Sequence, residues 1–312
     1  MMREMWRFYA QLLTPPFVAK SSRKIAMFQS GSVSRAQRWT LALFLASSPL
    51  LLGQAQPQSP PSGASTEELQ KATQNPVASL ISVPFQNNTD YNIGPFARDK
   101  NTLNIQPVIP AQLTSKWNLI PRIITPLIYQ PDISQAHLGT FGLGDIQPTF
   151  FFSPAKPSKV IWGAGPAILL PTATDDNLGS GKWCMGPSIV ALVQPKKWTL
   201  GTVASNLWSF AGSSSRADVN TFTLQYFVNY NLQKGWYVTS APILTANWNA
   251  SGGNVWLVPF GGGVGRIFKP GAQPVNGQVS AYYNVVRPDA IPSPTWQLRL
   301  QLAFLFPRLP KK

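Results

Sequence analysis

Charge and reactive side chains are scarce in this 312-residue sequence, which has one Cys, one His, 11 acidic residues and only 12% charged residues overall. A single cysteine, Cys184, excludes an intramolecular disulfide framework and any Cys-rich metal site. A single imidazole, His137, leaves no strand-borne base to activate a serine, so no catalytic residue, metal or cofactor is expected. With 44% hydrophobic residues the chain is too apolar for disorder. Thirty Pro and 23 Gly argue against coiled coils and ordinary helical enzymes. What is abundant is aromatic, 12% with 11 Trp, and basic, a net +15.

The basic excess is uneven. Arg3, Arg7, Lys20, Arg23, Lys24, Arg35 and Arg38 share residues 1–55 with one acid, Glu4, so the remainder carries +9. That weakens any case for nucleic acid, and none is expected as a partner. Residues 40–53 form the single long apolar run; Arg35 and Arg38 precede it and Gly53-Gln54-Ala55 lie at its end. Basic, apolar, then small is the layout of a secretory signal, and the run is shorter than the ~20 residues of a spanning helix. Residues 1–55 therefore read as a signal peptide, with Met27 as a natural start; a membrane anchor is the alternative. Residues 56–81 open on a Pro/Ser/Gln linker and contain a short helix from Thr66 to about Lys71, with Ser65 or Thr66 as N-cap and Glu67 and Glu68 in its first turn. This stretch could sit as a plug inside the larger domain formed by the rest of the chain.

From residue 82 the pattern changes to period-two alternation. In Thr221–Leu232, Phe222, Leu224, Tyr226, Val228 and Tyr230 share one face, and Thr223, Gln225 and Asn229 the other; Phe227 is the one break. Twelve segments repeat the pattern, near 82–92, 100–112, 116–129, 143–154, 159–171, 182–194, 198–210, 219–231, 235–248, 255–267, 275–287 and 295–306. The connections alternate between short and mostly longer ones. Lys116, Lys156, Lys159, Lys196, Lys197, Lys234 and Lys269 flank the short ones; Asp99, Asp132, Asp175, Asp176, Asp218 and Asp289 flank the longer ones. Even strand number, alternating loop length and apolar-out, polar-in alternation describe an all-β transmembrane antiparallel up-and-down barrel spanning 82–306, followed by a periplasmic tail, 307–312. Trp117, Trp183, Trp198, Trp208, Trp236, Trp248, Trp256 and Trp296 fall near strand ends, where interfacial aromatic girdles belong. Pro107, Pro121, Pro126, Pro148, Pro166, Pro187, Pro242 and Pro259 fall inside proposed strands, and bulges are expected at several. A soluble β-sandwich would show similar strands and remains the architectural alternative.

Several stretches carry a resemblance: Ile81-Ser82-Val83-Pro84-Phe85-Gln86-Asn87-Asn88, Asn104-Ile105-Gln106-Pro107-Val108-Ile109-Pro110, Phe141-Gly142-Leu143-Gly144-Asp145, Leu169-Leu170-Pro171-Thr172-Ala173-Thr174, Gln225-Tyr226-Phe227-Val228-Asn229-Tyr230-Asn231, Val258-Pro259-Phe260-Gly261-Gly262-Gly263-Val264-Gly265 and Ala281-Tyr282-Tyr283-Asn284-Val285-Val286. From about Asn75 to Phe306 the chain resembles a bacterial outer-membrane family of transporter-like barrels, related to the outer-membrane proteins of phenol meta-cleavage gene clusters and often given the misplaced name neuromedin U. The resemblance implies a barrel for uptake of small, often hydrophobic compounds and brings no catalytic residues. The chain departs from the common terminal aromatic, since Pro307 and five more residues follow Phe306.

The glycines of Gly261–Gly265 precede Arg266-Ile267-Phe268 rather than the Lys-Ser/Thr and helix of a phosphate loop, and read as a kink, bulge or close approach. Asp175-Asp176 read as a solvated loop or a weak cation contact near lipopolysaccharide. Candidate pore-lining residues are the polar ones on inner faces: Asn104, Gln106, Arg122, Asp145, Gln147, Thr149, Gln225, Asn229, Gln278, Asn284, Gln297 and Arg299. Arg122, Asp145 and Arg299 are expected to form a charge cluster. The leading reading is a passive channel in the bacterial outer membrane for small, hydrophobic or aromatic solutes. Its partners would be membrane lipid, lipopolysaccharide, and the barrel assembly machinery through the last strand, Trp296 to Phe306. A non-conducting structural or adhesive barrel, or a soluble periplasmic ligand-binding β protein, are the alternatives.

Overall fold

The computed structural model describes residues 65–134, 138–156 and 158–307. The signal segment, the Met27 start, most of the linker, His137 and residues 308–312 lie outside them. The described chain begins with α1 (Thr66–Thr73), held by a full capping box: Ser65 Oγ accepts from Glu68 N at 3.2 Å, and Glu68 Oε2 accepts from Ser65 N at 2.8 Å. No helix among the described residues is long and apolar enough to cross a membrane.

Everything after α1 is strand and turn. The segments are β1 (Ile81–Ile93), β2 (Arg98–Ile105), β3 (Ala111–Gln112), β4 (Trp117–Pro131), β5 (Gly139–Leu143), β6 (Gln147–Pro154), β7 (Ile161–Leu169), β8 (Lys182–Val193), β9 (Trp198–Gly212), β10 (Asn220–Asn231), β11 (Trp236–Ser240), β12 (Ile243–Asn247), β13 (Trp256–Phe268), β14 (Val275–Val286) and β15 (Trp296–Phe306). Counting β2 with β3, β5 with β6 and β11 with β12 as single interrupted strands, each strand pairs antiparallel with the next along the chain, and β15 returns to pair with β1 from Ile81↔Phe306 to Tyr91↔Trp296. The ring is closed, a twelve-stranded antiparallel barrel, and closure leaves no sheet edge.

Fifteen segments make twelve strands because three strands are interrupted. The expected strands 100–112, 143–154 and 235–248 break at 106–110, 144–146 and 241–242. Two of the breaks hold Pro107 and Pro242, which have no N–H to give the ladder. The third holds Gly144 and Asp145. Pro259 sits at a register shift opposite β14, a bulge of the kind its missing donor invites. Pro121, Pro126, Pro148, Pro166 and Pro187 stay in regular strands, with Pro166 facing Pro187 across β7 and β8.

Alternation sorts the two walls. On β15, Trp296, Leu298, Leu300, Leu302, Phe304 and Phe306 face out, while Gln297, Arg299, Gln301, Ala303 and Leu305 face in, with Arg299 and Leu305 buried. One sector of the inner wall, carried by four strands, is apolar, although Asn118, Ser153, Thr199 and Asn231 beside the short turns are buried and polar. In that sector Val77, from the segment after α1, packs among Ile120, Phe151, Val190, Leu192 and Phe227, five residues from four strands. Phe227, the one break in its strand's alternation, faces in for this reason. Burying Val77 contributes about 1.5–3 kcal/mol. Leu80 packs likewise against Ala303 and Leu305, and Leu69 of α1 against Ile267.

Candidate functional site

Beside the apolar cluster, and sharing Phe227 with it, a cavity of about 250 Å³ lies between a mostly polar stretch of the inner wall and the chain at 72–80. Seven of the twelve pore-lining candidates border it: Asn104, Gln106, Arg122, Gln225, Asn229, Gln278 and Arg299. Gln147 and Thr149 pair with Ile124 and Arg122 and so share that inner face. Gln297, also on the inner face, accepts from Arg299 Nη2 at 3.1 Å and donates to Asp90 Oδ1 at 2.8 Å.

Two candidates do other work. Asn284 donates to the Pro294 carbonyl at 2.8 Å and ties down the connection before β15. Asp145 leaves the wall altogether, and the expected cluster of Arg122, Asp145 and Arg299 does not form. The break at 144–146 turns the Asp145 carboxylate toward the connection before β8, where it accepts from Ala173 N at 3.2 Å, Ser180 N at 2.6 Å and Ser180 Oγ at 2.8 Å. Loop N–H groups need acceptors, and a carboxylate supplies strong ones.

The arginines are held by neutral groups. Arg122 Nη2 donates to Gln106 Oε1 at 2.6 Å. Arg299, 3% exposed, donates from Nε to Asn88 Oδ1 at 3.0 Å and from Nη1 to the Ala241 carbonyl at 2.8 Å, and stacks 4.9 Å from the Tyr282 ring centroid. The Pro242 break matters here. It frees the Ala241 carbonyl from the ladder, so that it accepts from Arg299 and, at 3.3 Å, from Gln225 Nε2. Among the described residues neither guanidinium has a carboxylate within salt-bridge reach.

Sequence reasoning missed part of the lining: Gln86, Thr239, Asn276, Gln301 and Tyr237. Gln86 and Asn88 alternate with Phe85 and Asn87, a signal present in the sequence. Tyr237 carried no such signal, since an aromatic reads as outer wall. Its hydroxyl lies 2.9 Å from Asn276 Oδ1 and 3.1 Å from Gln278 Oε1, and its ring covers Gly265, where any Cβ would collide with it. That close approach accounts for Gly265, while at Gly261, Gly262 and Gly263 a Cβ would run into the carbonyl oxygens of Ala281, Thr239 and Val279 on the neighbouring strands.

At the short-turn end α1 meets the barrel. Gln70 Nε2 donates to the Trp236 carbonyl at 2.9 Å, Gln74 Nε2 to Asn231 Oδ1 at 2.8 Å, and Gln194 Nε2 to the Lys71 carbonyl at 2.8 Å. On the outer wall Trp117, Trp198 and Trp236 begin strands at this same end, and Trp162, which sequence reasoning passed over, packs edge-on to Trp117 at 5.9 Å. Trp183, Trp208, Trp248, Trp256 and Trp296 lie toward the opposite end. Trp256 is the least exposed of the eight expected, packed 5.5 Å from Trp248 and 6.3 Å from Phe222.

No family model matches the chain, and no curated protein does. Among solved structures it is similar to an outer-membrane channel from Pseudomonas putida F1, with 17% identity, a TM-score of 0.56, and coverage of 74% of this chain and 97% of that one. The CymD monoaromatic hydrocarbon channel matches at 9% identity and a TM-score of 0.40 over 80% of this chain and 92% of that one. Outer membrane phospholipase A from Escherichia coli matches at 11% and 0.38 over 73% and 96%. The chain has the fold of an outer-membrane β-barrel. At these identities the likeness speaks to fold alone, and function rests on the site.

Proposed function

We propose that the protein is an outer-membrane channel that passes small hydrophobic or aromatic molecules by diffusion. One observation carries this reading: a closed ring of strands has an apolar outer wall and a polar inner wall around a cavity. Exposed Trp, Phe, Leu and Val side chains cover the outside, including Phe210, Phe260 and Phe141 at 64%, 66% and 70% exposure, a surface suited to lipid and unsuited to water. Inside, Asn, Gln and Arg side chains offer hydrogen bonds to a passing solute while Ile124, Val203, Phe227 and Ile243 offer apolar contact. In this reading the tryptophans at the strand ends anchor the barrel at the two membrane interfaces, lipid and lipopolysaccharide surround it, and the last strand, β15, is read by the assembly machinery.

The packing of Val77 and α1 at the short-turn end favours a second reading, a barrel that does not conduct. Recording the purified full chain in planar bilayers separates the two. Discrete conductance steps, together with uptake of small uncharged solutes in liposome swelling, are expected. A folded, heat-modifiable barrel that passes neither ions nor solutes would support the second reading.

A further inference from the structure

The lumen holds more positive charge than its own groups neutralise. On the inner face of the described strands the one carboxylate is Asp90. It lies opposite Lys100 in the β1–β2 ladder and is bridged to Arg299 through Gln297, so one carboxylate faces three cations, Lys100, Arg122 and Arg299. Arg122 and Arg299 border the same cavity. Amide and carbonyl oxygens fix both guanidiniums in place, but a neutral acceptor orients a cation without cancelling it. Two oriented cations drawn from water gain far more from an anion between them than from a neutral ligand.

The rest of the cavity limits the anion. Guanidinium presents paired donors whose geometry matches a carboxylate. The same cavity is lined by the apolar side chains of Ile124, Val203, Phe227 and Ile243. At about 250 Å³ the space is smaller than the ~300–1,000 Å³ of cavities for drug-sized ligands, so it takes a compact molecule. We propose that the lumen binds a small monocarboxylate, aromatic or short aliphatic, with its carboxylate between Arg122 and Arg299 and its apolar body against these four side chains. This rests on the channel reading above, and narrows it to acids rather than neutral hydrocarbons.

The probe is sodium benzoate, with benzyl alcohol as the uncharged match and chloride as the anion without an apolar body. Binding is read by calorimetry on the folded full chain in detergent, and block or flux in bilayers is read separately. Saturable benzoate binding at least tenfold tighter than benzyl alcohol or chloride, reduced at least tenfold in Arg122→Gln, is the expected result. Arg299→Gln should do the same; if its lost hydrogen bonds prevent folding, seen as loss of heat-modifiable migration, Arg122→Gln decides, since it gives up one bond. Equal binding of benzoate and benzyl alcohol, equal competition by chloride, or unchanged benzoate binding in Arg122→Gln would overturn the proposal. Conductance without benzoate binding defeats this inference and leaves the channel standing; benzoate binding without conductance defeats the channel and leaves the site.

Discussion

Two regions of the barrel interior are built on opposite principles. At the short-turn end the protein fills its own lumen: Val77 closes over Ile120, Phe151 and Phe227, and α1 is stitched to strand ends through Gln70, Gln74 and Gln194. Beside that packing, between the chain at 72–80 and the strands, the wall is amide, hydroxyl and guanidinium, with space between. The same alternation produces both surfaces, since inward residues alternate with outward ones throughout. What differs is how the inward residues are matched. Against Val77 they are apolar and packed; around the cavity they are mostly polar and hydrogen-bond to one another or to the helix end.

The strongest way to break this contrast is to remove the filling. Deletion of residues 65–79 should leave a closed barrel and raise single-channel conductance several-fold. Conductance equal to that of the full chain would show that the filled region is not the constriction. Next, truncation should cost unequally in the two regions. Phe151→Ala, at a site 1% exposed, should lower unfolding free energy by about 3–5 kcal/mol. Gln225→Ala, beside the cavity, should cost about 1 kcal/mol. Urea unfolding in micelles measures both, and similar losses would erase the distinction. A smaller effect is expected from Gln70→Ala, which removes the bond to the Trp236 carbonyl for about 0.5–1.5 kcal/mol. It should be read as faster proteolysis within α1 while the barrel stays intact.

The smallest effect lies outside the wall. Lys182 Nζ donates to Asp218 Oδ1 at 3.0 Å and, with help from Ser209, holds that carboxyl below the usual carboxylate range. A depressed carboxyl stabilises the fold above its unfolded-state value, near pH 4, and that contribution is lost as pH falls through the lower folded value. Asp218 is 78% exposed, so solvent screens the pair and the effect on stability is slight. Lys182→Gln should move the carboxyl titration of Asp218 upward by NMR; an unmoved titration would show that the ammonium does not set it.

Much of the architecture could be read from the chain because strand periodicity is a local property. Twelve strands, their order and a short helix capped at Ser65 or Thr66 follow from alternation, turn residues and the acidic first turn at Glu67 and Glu68. Tertiary partners are not local, and there the reading stopped. Phe227 looked like an interruption until Val77 was found against it. Asp145 looked like a lumen charge, because nothing in Phe141–Asp145 reveals that the strand breaks and sends the carboxylate to Ser180. Pro242 was one of eight in-strand prolines, at several of which bulges were expected, yet the consequence of the break there, a carbonyl released to Arg299, needs both strands in view. Trp162 was legible from its place at a strand start and was passed over.

The contrast between the two regions is tested most directly by thiol labelling of single cysteines in a Cys184→Ala background, with the protein folded in liposomes. Asn104→Cys and Gln278→Cys border the cavity and should react with a small water-soluble thiol reagent. Val77→Cys and Ile120→Cys should stay protected until the barrel is unfolded. Equal labelling at all four positions would contradict the account, because the region packed around Val77 would then be as open to water as the cavity.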